Sequence, residues 1–479
     1  MMTMQTYALK PLFPVALALL ITGCAVGPTY QRPTTPEVAA YKEAGDWVAA
    51  QPADALERGP WWRLFNDPVL NDLAARVEVS NQNVAAAVAA YAQARALVAE
   101  QRAALFPSVT LSGGASRSGN GAGTVNTNTN TNTANGNRTS SSNQASLGVA
   151  WEPDVWGRLQ SVANGAAATA AASAADLATA RLSAQGELAV NYLSLRQQDA
   201  QKALLASTLA GYARALEITQ NRYTAGIAAK TDVLQAQTQL ANAQADDAGL
   251  QRTRAQLEHA IAVLVGQAPG NFTLAALPAW KATVPDVPAG VPSTLLQRRP
   301  DIAAAERRVL SANEQIGVAK AAYYPSLSLN ASVGTAASRV TDLFSAPAAL
   351  WSLGLSAAQV LFKGGALDAR VDGATAAYDQ TVARYRQVVL SAFQNVEDQL
   401  SAARVLQTQQ TLRAQASSAA DQVEQQVLNR YRSGQISYTE VITAQTTALN
   451  ARRALVQATA DRQTTAVALI QSLGGGWSN

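Results

Sequence analysis

Cysteine and histidine are almost missing from this chain of 479 residues: there is one of each, Cys24 and His259. A lone cysteine excludes an intramolecular disulfide framework and any multi-cysteine metal cluster. A lone histidine excludes paired-histidine zinc sites and histidine proton relays, and His259 reads as an ordinary helix residue. All three methionines (Met1, Met2, Met4) fall at the extreme N-terminus, so dedicated soft-metal ligands are absent from the rest. Charge is sparse (15%) and nearly balanced (+4), which argues against a nucleic-acid partner. No catalytic serine–histidine–acid spacing and no phosphate-loop pattern occurs, so the chain reads as a non-enzyme without a cofactor. Beyond the N-terminal segment no run of about 18 apolar residues exists, so no membrane-spanning helix is expected there.

What is present is alanine, at the expense of aromatics, which make up 6%. Alanine favours helix and buries little area, so helices should pack closely side by side rather than around a thick core. A single core rarely exceeds about 250–300 residues, so the length implies two units or one elongated body.

Residues 1–23 read as a secretory signal, with Lys10 in a positive start and an apolar run from Leu12 to Ile21. Leu20-Ile21-Thr22-Gly23-Cys24 resembles a bacterial lipoprotein cleavage box, which marks Cys24 as a lipidation site. Several acyl chains on one residue give firm anchoring. Ala25, where an Asp would resemble an inner-membrane retention signal, favours the outer membrane.

Self-similarity organises the remainder. Asn221-Arg222-Tyr223-Thr224-Ala225-Gly226 recurs as Asn429-Arg430-Tyr431-Arg432-Ser433-Gly434, an offset of 208. Further upstream the offset becomes 218, where Phe106-Pro107-Ser108 matches Tyr324-Pro325-Ser326. The difference falls around a polar Asn-Thr tract at 126–133, which reads as a loop. A repeat this long implies two similar halves.

Each half runs in the same order. A helical stretch (about 72–104, then 300–322) ends at a Pro boundary. Two strands with period-two alternation follow, about 108–118 and 144–153 in the first half, and 326–336 and 350–361 in the second. A helix of roughly 65 residues comes next, long enough for about 100 Å. After a Gly-containing turn, a shorter helix returns (about 230–265 and 438–472). The expected division is a 24–71 N-terminal segment, repeats at 72–270 and 295–479, and a Pro-rich linker at 271–294.

Four strands cannot close a barrel, and open edges are not tolerated in lipid. Two copies would give eight strands with a filled interior; three would give twelve and leave a lumen. The reading is an α+β membrane protein: a homotrimeric 12-stranded outer-membrane β-barrel, four strands per chain, continuous with a long periplasmic helical barrel.

Several motifs carry a family resemblance. Cys24-Ala25-Val26-Gly27-Pro28-Thr29-Tyr30, Trp61-Trp62-Arg63-Leu64-Phe65-Asn66-Asp67-Pro68 and Trp151-Glu152-Pro153-Asp154-Val155-Trp156-Gly157-Arg158 resemble outer-membrane efflux lipoproteins of the nodulation-protein type. Leu295-Leu296-Gln297-Arg298-Arg299-Pro300-Asp301-Ile302 is the most specific of these, and Phe362-Lys363-Gly364-Gly365 fits the fourth-strand exit. The resemblance implies a trimeric exit duct working with a periplasmic adaptor and an inner-membrane pump of the resistance-nodulation-division type. It also implies that the two hairpin turns form the periplasmic tip, with the second hairpin gating.

At the tip the expected gate residues are Asp232, Glu440, Arg222, Tyr223, Arg430 and Tyr431. The expected adaptor-contacting turns are Gly226, Ile227, Gly434 and Gln435. Arg222, Arg430 and Lys230 are expected to pair with the two acids, and the tyrosines to hydrogen-bond across hairpins. An alternative for Asp232, a first-turn helix acid, stays open. Competing classes are an outer channel for type I protein secretion, a lipid-anchored cell-wall enzyme and a coiled-coil scaffold.

Overall fold

The computed structural model describes residues 26–35, 41–43, 59–119, 139–278, 280, 282–285, 287, 299–345 and 349–475. Cys24 with the signal-like segment, the Asn-Thr tract and residues 295–298 of the arginine signature lie outside the described residues.

Helix dominates. A 3₁₀ turn at Trp61–Phe65 leads into α1 (Pro68–Ser80) and α2 (Gln82–Ala103), then strands β1 (Ser108–Gly119) and β2 (Thr139–Trp151). Next come α3 (Arg158–Thr224) and α4 (Lys230–Leu264). The second half supplies α5 (Pro300–Ala321), β3 (Ser326–Ala337), β4 (Ala349–Ala358), α6 (Ala366–Arg432) and α7 (Tyr438–Ser472). Helices α3 and α6 both have 67 residues, and α4 and α7 both have 35. No helix among the described residues is long and apolar enough to cross a membrane.

Two strand bounds differ from expectation. β2 begins at Thr139, because Ser140–Asn143 extend the ladder opposite Ala115–Ser118. β4 stops at Ala358, where Ser326 ends its partner strand and leaves Gln359–Leu361 unpaired within the sheet.

A further difference concerns the first helical stretch, which is two helices broken at Asn81. The Asn81 side-chain oxygen accepts from the backbone N–H of Asn83 (2.9 Å) and Val84 (3.1 Å) and so starts α2. Its amide donates to the Leu264 carbonyl at 2.9 Å, at the end of α4. The asparagine is buried and its extended backbone cannot continue α1.

The chain folds into two compact units. One is drawn from Met1–Pro33, Gln93–Ala171 and Arg307–Ala383, and contains the sheet. Here Gly27 lies against Gly317, where a Cβ on Gly27 would stand 3.0 Å from the Gly317 Cα. Asn313 holds the Pro28 carbonyl at 3.0 Å, which gives the Val-Gly-Pro segment its structural role.

The other unit comprises Thr34–Ala92, Ala172–Glu306 and Arg384–Asn479. Its core includes Leu188, Tyr192, Leu193, Leu195, Ile261, Ile302, Val467 and Ile470, all fully or almost fully buried. Each such side chain contributes about 1.5–3 kcal/mol on burial. Trp61, Trp62 and Phe65 of the tryptophan-rich motif are buried with them. Asp67 caps α1 through the N–H groups of Val69 and Leu70 and accepts the Tyr192 hydroxyl at 2.7 Å.

A buried ionic clamp holds the chain that leaves α4. Asp199 accepts from Arg196 (2.9 Å), Arg254 (2.7 Å) and the Leu277 N–H (3.1 Å). Arg196 also donates to the Ala275 carbonyl, and Arg254 to the Leu274 carbonyl. Glu258 accepts the Leu274 N–H at 2.5 Å and pairs with Arg254. The arginine signature is explained in the same unit. Arg299 grips Asp301 with two nitrogens, at 3.0 and 2.6 Å, while its third donates to the Ser472 carbonyl at the end of α7.

Candidate functional site

The sheet has the order β1-β2-β3-β4, antiparallel throughout, and both edge strands lack a further strand partner among the described residues. Its three ladders pair Ser108 with Ala150, Asn143 with Ala337 and Ser326 with Ala358. Even residues therefore always face even ones, and each face of the sheet is continuous over four strands. The odd face carries Val109, Leu111, Leu147, Val149, Trp151, Leu329, Val333, Trp351, Leu353 and Leu355. Most of these side chains are uncovered: Leu111 is 82% exposed, Trp351 81% and Leu355 70%, while Val149 and Leu329 are half-buried. The even face is mainly Ser, Thr, Gly, Asn and Ala. A soluble sheet would turn its leucines to a core. Here the leucines face outward, as in a wall with lipid on one side and water on the other.

The strand exits are built to make sharp turns. Gly157 has φ +73° and precedes α3, and Gly364 and Gly365 have φ +56° and +79° before α6. Asp154 accepts the first N–H groups of α3, from Leu159 (3.0 Å) and Gln160 (2.7 Å). Glu152 and Arg158 close an ion pair of three hydrogen bonds across the turn. Trp156 stacks on Tyr324 with centroids 4.8 Å apart and donates to the Pro325 carbonyl at 2.7 Å, tying the exit from β2 to the entry into β3. Tyr323 donates to Asp368, and this bond is the first cause raising its pKa to about 12.

The two hairpin turns share one mechanism. After α3, the Ile227 N–H bonds to the Arg222 carbonyl (2.8 Å) and the Gly226 N–H to the Tyr223 carbonyl (2.9 Å). After α6, Gln435 bonds to Arg430 (3.0 Å) and Gly434 to Tyr431 (2.9 Å). Both are glycine-closed helix ends, with φ +75° at Gly226 and +78° at Gly434. A Cβ on either glycine would meet nothing within 4 Å, so the backbone angle alone asks for glycine.

Between the hairpins the cement is aromatic. The Arg222 guanidinium lies over the Tyr431 ring, 5.2 Å from its centroid, and Tyr431 packs against Tyr438 at 5.5 Å. Tyr438 is buried with Val441 and Ala236, and Leu216, Val427, Leu428 and Ile442 pack around them. Its pKa is pushed up to about 12, first by burial and then by the nearby Tyr431, Tyr212 and Asp232. Farther along, Gln239 donates to the Tyr212 hydroxyl (2.9 Å) and to Thr446 (3.0 Å).

Asp232 and Glu440 each stand in the first turn of their helix, α4 and α7. Among the described residues neither forms an ion pair with Arg222, Arg430 or Lys230, which corrects the expected pairing. Arg222 is drawn to the ring face instead. Nor do Tyr223 and Tyr431 hydrogen-bond across the hairpins. Tyr431 is engaged by ring packing, while Tyr223 is 40% exposed, as is much of Ile227 at 68%. Arg430, Gly434 and Gln435 are exposed. Tyr438 was not anticipated, although it replaces Lys230 at the 208 offset, and that mismatch in an otherwise similar segment was a usable signal.

A sheet with an exposed apolar face, in a chain that also carries two 67-residue helices, defines an outer-membrane channel. The comparisons agree. The family model "Outer membrane efflux protein" matches residues 73–267 and 291–475, two stretches offset as the internal repeat is. The chain belongs to this family. The toluene efflux pump outer membrane protein TtgC of Pseudomonas putida is 31% identical over 472 residues, covering 98% of this chain and 96% of that protein. The pyoverdine export outer membrane protein OpmQ of Pseudomonas aeruginosa is 30% identical over 476 residues, 98% of each. Among solved structures, the outer-membrane channel OprN superposes with a TM-score of 0.85 at 31% identity, over 95% of this chain and all of that one. The open-state MtrE channel of Neisseria gonorrhoeae gives 0.81 at 26%, over 95% and 98%. The protein is thus an outer-membrane efflux component, and its relatives are channels rather than enzymes.

Proposed function

We propose that three copies of this chain form the exit duct of a tripartite efflux system, with a twelve-stranded barrel in the outer membrane and a helical barrel in the periplasm. Cargo reaches it from an inner-membrane pump of the resistance-nodulation-division type through a periplasmic adaptor. The duct conducts passively; the pump supplies energy and selection. The observation that carries this reading is the sheet, whose β1 and β4 edges are open and whose apolar face is exposed. In lipid every backbone N–H and C=O needs a partner, so the edges require neighbouring copies. Twelve strands leave a water-filled interior where eight do not.

We assign gating to Asp232, Glu440, Arg222, Tyr223, Arg430 and Tyr431, and adaptor contact to the turns at Gly226, Ile227, Gly434 and Gln435. The exposure of both turns and the Arg222–Tyr431 contact between hairpins support that assignment. Lipidation at Cys24 adds an anchor. Relatives are named for toluene, solvent, antibiotic and pyoverdine efflux, which favours small-molecule export, including a part in antibiotic resistance, over protein secretion.

Crosslinking of the purified, acylated protein in detergent, followed by planar-bilayer recording, tests the reading. A trimer that conducts ions after tip opening is expected. A monomer that never conducts would refute it.

A further inference from the structure

Among the ten to thirteen residues of each strand, one ionic side chain occurs in the whole sheet: Arg117. It has an odd number, so it belongs to the apolar face, near the end of β1 that leads away from the helices. Every even position of all four strands is uncharged. Other nearby ionic groups lie beyond the strand ends, among them Arg102 before β1, Glu152, Asp154 and Arg158 past β2, Arg339 and Asp342 past β3, and Lys363 past β4.

Several hydroxyls of the even face are already bonded within the wall itself. Ser112 pairs with Ser146 (2.8 Å), Ser328 with Ser356 (2.7 Å) and Ser332 with Ser352 (2.8 Å), each across a strand boundary. Ser108 and Ser326 donate to the facing carbonyls of Ala150 (3.2 Å) and Ala358 (3.3 Å). Each of these hydroxyls keeps acceptor capacity for water but has spent its single donor or shares it with a neighbour. Such a wall stays wet and holds no partner tightly.

We infer that the bilayer section of the duct is an electrically neutral, hydroxyl-lined outlet that passes cationic, anionic and uncharged small molecules alike. Charge discrimination is then set upstream of the sheet. The physical reason is that selectivity in a pore comes from rings of fixed charge, and conduction needs binding weak enough for release. Threefold symmetry would turn one lysine or aspartate on this face into a ring of three charges; the sequence places none there. This inference rests on the channel reading, since it takes the even face as the lumen.

Thiol labelling of the full-length trimer in proteoliposomes tests it. Ser328→Cys, Ser352→Cys and Ser356→Cys are each reacted with an anionic and a cationic methanethiosulfonate, and the wild type, whose one cysteine is Cys24, gives the background. Both reagents should react, at rates within about threefold of each other once every rate is divided by that reagent's rate with a small free thiol in water, because no local potential favours either sign. Leu353→Cys should resist both and react only with a lipid-soluble maleimide. A bias of about tenfold or more toward one sign, in a trimer that still conducts, overturns the neutral outlet and leaves the channel standing. Labelling at Leu353→Cys but not Ser352→Cys overturns the assignment of faces. Even labelling of the three serine variants, together with a wild-type trimer that passes no ions, removes the channel reading itself. As a second measurement, Ser352→Asp and Ser352→Lys should shift the reversal potential in a salt gradient in opposite directions; no shift from either counts against the proposal.

Discussion

The guanidinium of Arg222, in the last turn of α3, covers the ring of Tyr431, in the last turn of α6, at 5.2 Å from its centroid. The two residues come from different halves of the repeat, one position out of step, since Arg222 aligns with Arg430 rather than Tyr431. The contact therefore breaks the symmetry of the halves and fastens one hairpin to the other.

If the tip closes the duct, this contact resists opening. A cation over an aromatic ring contributes about 0.5–2 kcal/mol. Tyr431→Ala and Arg222→Ala should each raise the open fraction in planar bilayers by between about twofold and thirtyfold. Combining Asp232→Asn with Arg430→Ala should raise it as well. Wild-type conductance in all three variants would rule out a gate at these residues.

The clamp at Asp199 is a separate matter of stability. Its carboxylate is 1% exposed and answers two arginines and a backbone N–H. Asp199→Ala leaves Arg196 buried with its charge unanswered and should cost about 3–5 kcal/mol. A lower thermal midpoint with unchanged single-channel conductance is the expected result.

Asn81 and Gly266 lie where α1 ends, α2 begins and α4 ends. Asn81→Ala removes a helix cap and orphans the Leu264 carbonyl, at a cost of about 2–4 kcal/mol. Gly266→Ala should be worse than Gly226→Ala, although both glycines have φ near +70°. A Cβ on Gly266 would stand 2.3 Å from the Ser80 carbonyl oxygen, whereas around Gly226 there is open space. Gly226→Ala should cost only about 1 kcal/mol of backbone strain. Denaturant midpoints of the two variants give the comparison.

Alkaline pH should weaken the tip. Tyr438 ionises near 10 when unfolded but only at about 12 when folded, because burial disfavours its phenolate. Its protonated form is common to both states below pH 10, so its contribution is intact there and is lost as pH rises from 10 to 12. Tyr438→Phe should flatten part of that decline in a thermal melt series. Tyr41 and Tyr192, also shifted upward by burial, should account for part of the remainder. An unchanged slope in Tyr438→Phe would show that its ionisation is not coupled to folding.

Much of the architecture was legible because it is local. Period-two runs such as Leu327, Leu329, Ala331, Val333 define a strand face without knowledge of any partner. Proline and glycine punctuation at Pro107, Pro325, Gly226 and Gly434 set where helices stop, since it acts through the residue's own backbone angles. Copying at a fixed offset told which elements are equivalent.

The pairings were not legible. Asp232 and Arg222 carry opposite charges close together in the chain, and charge counting joins them. The fold instead presents Arg222 to an aromatic face more than 200 residues away. Likewise Asn81 sits in an unbroken helical pattern, and its bond to the distant Leu264 carbonyl, made while it caps α2, is not encoded there. The sequence by itself determined the elements, their order, their repetition and the two chemically distinct faces of the sheet, because each follows from periodicity and backbone preference within a short stretch. Tertiary structure alone decided which polar groups answer one another, since a side chain's partner depends on which distant backbone or ring is brought within about 3–5 Å, and no local pattern encodes that distance.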